Sequence, residues 1–409
     1  MLKTFKQLRP SQIKNAQEGT DILLKYGLVY LQHEVRTGKT LTSLQIANNV
    51  NAKSVLFLTK KKAIQSILSD FSALKYNYEL EVTNYESLHK IKGNYDLVIL
   101  DEAHSIGAFP KPSIRTKLLK QMFFNTKLIY LSGTPSSESY SQWYHQFWIS
   151  RNSPFKDYVN FYKFAKDYVN PNLIYTTYGQ SNDYSKAKDE LIKIKIDKLV
   201  HKFTQEQAGF ENVIVKTNIF IEMKPVTYKL IDKLKKDNII QGKNETIIAD
   251  SGVKLMSKQH QLGSGTIIFD SGNTGIIDNS KAVYIKENFK GKLAIFYYFK
   301  QELEMLLDVF GNHATTDLNE FNTTNKHYIG QQYSSAMGIN LSKADKLIYL
   351  NFGFSGTNFV QSLDRLTIKE RKETEVFFIL AKNTLDIQIL KVIEKKKNFT
   401  LKSYEQISK

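Results

Sequence analysis

At 409 residues the chain exceeds one ordinary hydrophobic core, so two domains are expected, and its 42% apolar content is ample for globular packing. Its 57 Lys and Arg against 40 Asp and Glu leave a formal charge of +17, which suits a polyanionic partner because Lys and Arg replace counterions condensed on phosphates; a Lys-rich solvated surface gives the same count. With no Cys, disulfides and Cys-ligated zinc or iron–sulfur sites are excluded.

The opening MLKTFKQLRP lacks an apolar stretch of signal-peptide length. Apolar runs such as SVLFL and LAIFYYF are strand-sized and too short to span a bilayer. A soluble, cytoplasmic protein with no membrane partner is expected. The first third alternates strand and helix patterns. Strands are expected at Leu28–Gln32, Val55–Thr59, Leu97–Asp101 and Leu128–Ser132, with helices such as Thr40–Ala47 and Lys62–Phe71 between them. That alternation implies a parallel sheet with helices on both faces. Residues 137–210 carry the aromatic-rich SQWYHQFW and YVNFYKFAKDYV, then charged helical sequence. Core packing is the favoured role for those aromatics, with base stacking the lesser reading.

A second β/α unit opens at Val213–Glu222. In GTIIFDSGNTGII, turn residues between two apolar runs predict a small β-hairpin. Strands at Leu293–Phe299, Lys346–Leu350 and Val376–Leu380 follow, with a helix at Gln301–Phe310 and a basic C-terminal segment.

Two motifs carry chemistry. Thr37-Gly38-Lys39-Thr40 lies between an apolar strand and an amphipathic helix. There backbone N–H groups face phosphates, Lys39 adds a point charge, and the Thr40 hydroxyl can ligate Mg²⁺. The full GxxxxGK[ST] pattern fails, because His33 stands at the first Gly position. Asp101 and Glu102 end the strand LVILD. Asp101 is expected to hold Mg²⁺ through water, and Glu102 to orient and deprotonate the attacking water. Together the motifs predict an ATP hydrolase using Mg²⁺.

At these residues the sequence resembles the superfamily-two helicases and translocases, and most closely the compact phage and prophage form of the Swi/Snf-like branch, across nearly the whole chain. The resemblance implies two tandem RecA-like lobes, at residues 1–150 and 211–409, joined by a helical extension and linker at 151–210. LRPSQ looks like the adenine-reading motif, with Gln12 in the reading position. FLTKKK and TNYESL resemble backbone-contact motifs, which implies that Thr59, Lys60, Thr83 and Asn84 meet nucleic acid. LSGTP is similar to the element that couples hydrolysis to strand movement, here Ser132, Gly133 and Thr134. In the second half, GINL implies Gly338 beside ATP and Asn340 on DNA. FVQSLDRL implies Gln361 and an arginine finger, Arg365. Two positions depart from the family. Arg36 replaces a loop Gly, and Ile368 replaces the second arginine, leaving Lys369 and Arg371 as nearest substitutes.

The resemblance thus implies an ATP-dependent DNA helicase or translocase in phage-type replication, recombination or repair, cytoplasmic in a bacterial host if phage-encoded. Replication or recombination proteins are its expected partners, and no oligomer is implied. An RNA helicase and a non-catalytic nucleic-acid clamp with a decayed motor are the rival readings.

Overall fold

The computed structural model describes residues 7–176, 179–211, 213–335, 339, 341–363, 365, 366, 371–395 and 398–407. They form two compact units, Met1–Phe210 and Glu211–Lys409.

The first unit is built on strands β1 (Leu28–His33), β2 (Ser54–Thr59), β3 (Glu79–Asn84), β4 (Leu97–Asp101), β5 (Lys127–Leu131) and β8 (Val200–Phe203), with a hairpin of β6 (Asn172–Thr176) and β7 (Gly179–Asp183). The six sheet strands run in the order β3-β2-β4-β5-β1-β8, every pair parallel. The apolar stretches of β1, β2, β4 and β5 are buried almost throughout, as strands covered by helices on both faces must be. The helix Pro10–Tyr26 begins with Pro in its first turn and stops at Gly27, whose φ of 73° lets the chain leave left-handed. Most aromatics of residues 137–170 pack as core, Tyr162 being exposed. Trp143, Tyr144, Phe147, Phe155, Phe161, Phe164 and Tyr168 join one buried cluster with Tyr30 and Tyr130 of the sheet. Residues 151–210 pack with this first unit and contribute its sheet-edge strand β8.

The second unit repeats the class. Strands β9 (Val213–Ile221), β14 (Leu293–Tyr297), β15 (Ala314–Thr315), β16 (His327–Gln331), β17 (Lys346–Tyr349) and β18 (Glu373–Ala381) form a sheet in the order β15-β16-β14-β17-β18-β9, again all parallel. Two small antiparallel pairs sit outside it, β10 (Ile239–Gln241) with β11 (Thr246–Ile248) and β12 (Thr266–Ile268) with β13 (Thr274–Ile276). The latter is the hairpin expected at GTIIFDSGNTGII, turned through Gly272 at φ 89°. The fold class is therefore two tandem RecA-like α/β lobes. Among the described residues no helix is long and apolar enough to cross a membrane.

Candidate functional site

Strand β5 lies between β1 and β4. The loops leaving these three strands at their carboxyl ends are therefore neighbours, where open α/β sheets hold ligands.

After β1 the chain turns through Arg36 (φ 62°) and Gly38 (φ 94°) into the helix Lys39–Asn49. The Lys39 ammonium is drawn inside this loop, donating to the carbonyls of His33 at 2.8 Å and Glu34 at 3.0 Å. Thr37 closes the turn with its hydroxyl on the Glu34 carbonyl at 2.7 Å. Gly38 has φ 94°, which strains any side chain, and a Cβ there would also stand 2.1 Å from Gln12 Nε2, so glycine is favoured. Gln12 is buried, and its Oε1 accepts the Arg9 N–H at 2.9 Å while Arg9 donates to the Thr37 carbonyl at 2.9 Å. Gln12 and Arg9 thus strap the first helix onto the phosphate loop.

His33 explains its own departure from the Gly pattern. Its side chain is fully buried away from the loop, Nε2 lying 2.8 Å from His201 Nδ1 and the ring against Phe203. His201 in turn sits 2.6 Å from the Glu18 carboxylate. Burial, with His201 and Lys39 beside it, pushes the His33 pKa down to about 2, so the ring is neutral. Only the His33 backbone serves the phosphate loop, and backbone does not require glycine.

At the end of β4, Asp101 takes three contacts. Thr59 donates its hydroxyl to Oδ2 at 2.7 Å, the Glu102 N–H donates to Oδ1 at 3.0 Å, and the Tyr85 hydroxyl donates to the Asp101 carbonyl at 2.6 Å. Burial, then the charge of Glu102, holds the Asp101 carboxyl above the ordinary carboxylate range; the Thr59 bond and the Lys39 charge pull it back. Glu102 itself has a left-handed backbone, φ 50°, which turns the chain sharply after the strand. Its Oε2 lies 3.3 Å from His104 Nδ1, and the same nitrogen lies 3.1 Å from Ser132 Oγ. Burial lowers the His104 pKa, so this ring is neutral.

Ser132 Oγ also accepts the Thr134 N–H at 3.1 Å. A Cβ on Gly133 would come within 3.2 Å of the His33 carbonyl, so the Ser-Gly-Thr turn lies directly against the phosphate loop. Gly38–Thr40, Asp101–Glu102 and Ser132–Thr134 are thereby joined at one edge, with His104 as the link that sequence reasoning did not single out. Its only signal there was its place in the DEAH tetrapeptide.

Four of the five residues expected on nucleic acid, Thr59, Lys60, Thr83 and Asn84, lie at the ends of the adjacent strands β2 and β3, with Thr59 opposite Asn84. Thr59 is fully buried and serves Asp101. Asn84 Oδ1 accepts the Ser87 N–H at 2.9 Å and caps the turn Tyr85–Lys90. Lys60 has its pKa lowered by burial, against the raising charges of Glu102 and Asp101. Thr83 is half-buried on β3.

In the second unit Gln361 and Arg365 are both buried, and Arg365 Nε donates to the Gln361 carbonyl at 3.0 Å. Arg371 donates to the carbonyls of Ser342 and Ala344, each at 2.9 Å, which makes it a strut of that loop. Gly338, Asn340 and Lys369 lie outside the described residues.

Among the described residues no group of three His, Cys, Asp or Glu side chains forms a metal cage. Mg²⁺ rarely needs one, because it takes one or two carboxylates with phosphate oxygens and water. A half-buried Asp101 within reach of the Lys39 charge supplies one such carboxylate.

The loop with its inward lysine, the Asp-Glu pair and the Ser-Gly-Thr turn stand together at the carboxyl ends of β1, β4 and β5 as one candidate site. No protein-family model matches the chain. Over 269 residues, 58% of its length, it is 24% identical to an uncharacterized ATP-dependent helicase of Mycoplasma genitalium, and this stretch spans 26% of that relative. The chain is also similar to two solved Sulfolobus solfataricus structures, the SWI2/SNF2 ATPase core in complex with dsDNA and the SWI2/SNF2 ATPase core domain. Each has a TM-score of 0.44 and 16% identity over 96% of this chain, covering 91% and 89% of the respective structures.

Proposed function

We propose that the protein is an ATPase that couples hydrolysis to movement along DNA, in the manner of the Swi/Snf-like translocases its motifs resemble. The observation that carries this is the meeting of Lys39, Asp101, Glu102 and Ser132–Thr134 at one sheet edge, linked through His104. Lys39 and the loop N–H groups of residues 36–40 bind the phosphates. Asp101 and Thr40 would hold Mg²⁺, which would supply charge neutralisation to the phosphates. Glu102 accepts the proton of the attacking water. Arg365, with Gln361 behind it, supplies positive charge to the transferring phosphoryl group. The excess of Lys and Arg supports a phosphate-backbone partner, and the motif resemblance supports DNA and a setting in replication, recombination or repair.

The test is the ATP hydrolysis rate without nucleic acid and with single-stranded DNA, duplex DNA or RNA, beside Glu102→Gln. Stimulation by DNA with a loss of about 10²–10⁴-fold in the variant is expected. Preferential stimulation by RNA would move the protein to the RNA helicases, and absence of turnover under every condition would make it a clamp.

A further inference from the structure

A cavity of about 790 Å³ in the second unit is not used by the proposed ATPase chemistry. It lies beyond the carboxyl ends of β14, β16 and β17, lined by residues that follow each of them. This is the sheet's topological switch point, since the chain reaches β16 on one side of β14 and then crosses to β17 on the other.

The walls are aromatic: Tyr298, Phe299, Tyr333, Phe354 and Phe399. Amides and a hydroxyl complete the lining, among them Gln331, Asn358 and Ser355, with the Lys300 ammonium at the start of the helix Lys300–Phe310. Among the described residues the lining holds no carboxylate. Pi-faces, amide donors and acceptors, and one cation suit a nucleobase that carries a phosphate. Lys300 and the lack of a carboxylate weigh against an organic cation, and the amides against a plain acyl chain.

The platform is held rigidly from behind. Glu302 is fully buried and accepts the N–H groups of Tyr298 at 2.7 Å and Phe299 at 3.0 Å. Its other oxygen accepts from Asn351 Nδ2 at 2.6 Å, and Asn351 Oδ1 lies 2.8 Å from His260 Nε2. The His260 ring in turn packs against Phe299 and Phe354, with centroids 5.0 and 4.8 Å away. The Tyr298 ring lies so close over Gly353 that a Cβ there would stand 2.4 Å from it. Phe399 closes the wall by donating its N–H to the Phe354 carbonyl at 2.8 Å. Pre-set aromatic faces of this kind bind without an ordering cost.

We infer that this cavity receives one unstacked nucleotide of a DNA strand, its base among the aromatic rings and its phosphate toward Lys300. The inference rests on the DNA reading above and deepens it: the preferred substrate is duplex DNA with a flipped or unpaired base, not an unbroken duplex.

The test uses the full chain, a duplex carrying one bulged 2-aminopurine, and the same duplex with that base paired. Tyr333→Ala removes a side chain that is 53% exposed, and Phe354→Leu keeps bulk while removing the π-face; thermal unfolding checks both folds. Wild type should bind the bulged duplex more tightly and quench its fluorescence. Both variants should bind that duplex about tenfold more weakly, without quenching, while holding the paired duplex as before. Equal affinity of the wild type for the two duplexes, or equal losses on both in the variants, overturns the inference and leaves the DNA motor standing. Tight binding of free 2-aminopurine nucleoside monophosphate that bulged duplex fails to displace overturns it in favour of a soluble nucleotide. Wild type that binds neither duplex overturns the inference and the DNA reading together.

Discussion

Thr59→Val separates two roles for a residue at the end of β2. The change keeps the branched shape and removes a fully buried hydroxyl that donates to Asp101 at 2.7 Å. A hydrogen bond to a charged group contributes about 1.5–3 kcal/mol, and one pKa unit corresponds to about 1.4 kcal/mol. Without the bond, the Asp101 pKa should rise by roughly 1–2 further units, above a value that burial and Glu102 have already raised. A carboxyl with a raised folded pKa lends stability below its unfolded pKa and loses it as pH rises through the folded one. The variant should therefore be nearly as stable as wild type in acid and weaker by about 1.5–3 kcal/mol once Asp101 is ionised. Urea unfolding at about pH 4 and pH 8 reads this directly. Metal ligation requires the ionised carboxylate, so the acid limb of kcat/KM for ATP should also move up by about 1–2 pH units, with recovery on the alkaline side. An unmoved acid limb, together with a fall in DNA affinity, would refute the reasoning and return Thr59 to nucleic-acid contact.

Arg36→Gly should relieve the left-handed backbone at φ 62° and raise stability by about 1 kcal/mol, read as an upward shift in Tm; lower ATP affinity in the same variant would show that the guanidinium also meets phosphate, and unchanged affinity would make Arg36 a bystander. His104→Ala breaks the link between Glu102 and Ser132, so the DNA-stimulated part of ATP turnover should fall more than the basal rate while nucleotide affinity holds. Equal loss of basal and stimulated rates would assign His104 to Glu102 alone.

The parts of this fold legible in the sequence are those whose residues carry their own signal. Continuous apolar runs such as LVYLQ, SVLFLT and LVILD announce buried parallel strands, and all three are strands of the first sheet. The two edge strands of that sheet carry no such signal. β8 is four residues long and sits at the end of a charged helical stretch, and β3 carries two glutamates on a half-exposed surface. Each becomes a strand through pairing with a distant neighbour rather than through propensity. The hairpin of β6 and β7 has only half a sequence signal, because NLIYT reads as a strand while its partner GQSND carries no apolar side chain.

The same division runs through the site. Spacing puts Lys39, Asp101 and Glu102 just past strand ends, and the structure brings those strand ends side by side. What spacing cannot give is register. Leu58 pairs with Leu100, so Thr59 and Asp101 leave adjacent strands at the same level, and their hydrogen bond follows from that alignment. His33 shows the converse. In the linear pattern it reads as a defect in the phosphate loop, yet β1 turns its side chain toward His201 on a strand 168 residues away. A motif constrains only the atoms that meet the ligand. At His33 the loop uses only the backbone carbonyl, which accepts from Lys39, and the side chain instead meets His201 of β8. At Gly38, by contrast, the φ of 94° and Gln12 both stand against a side chain.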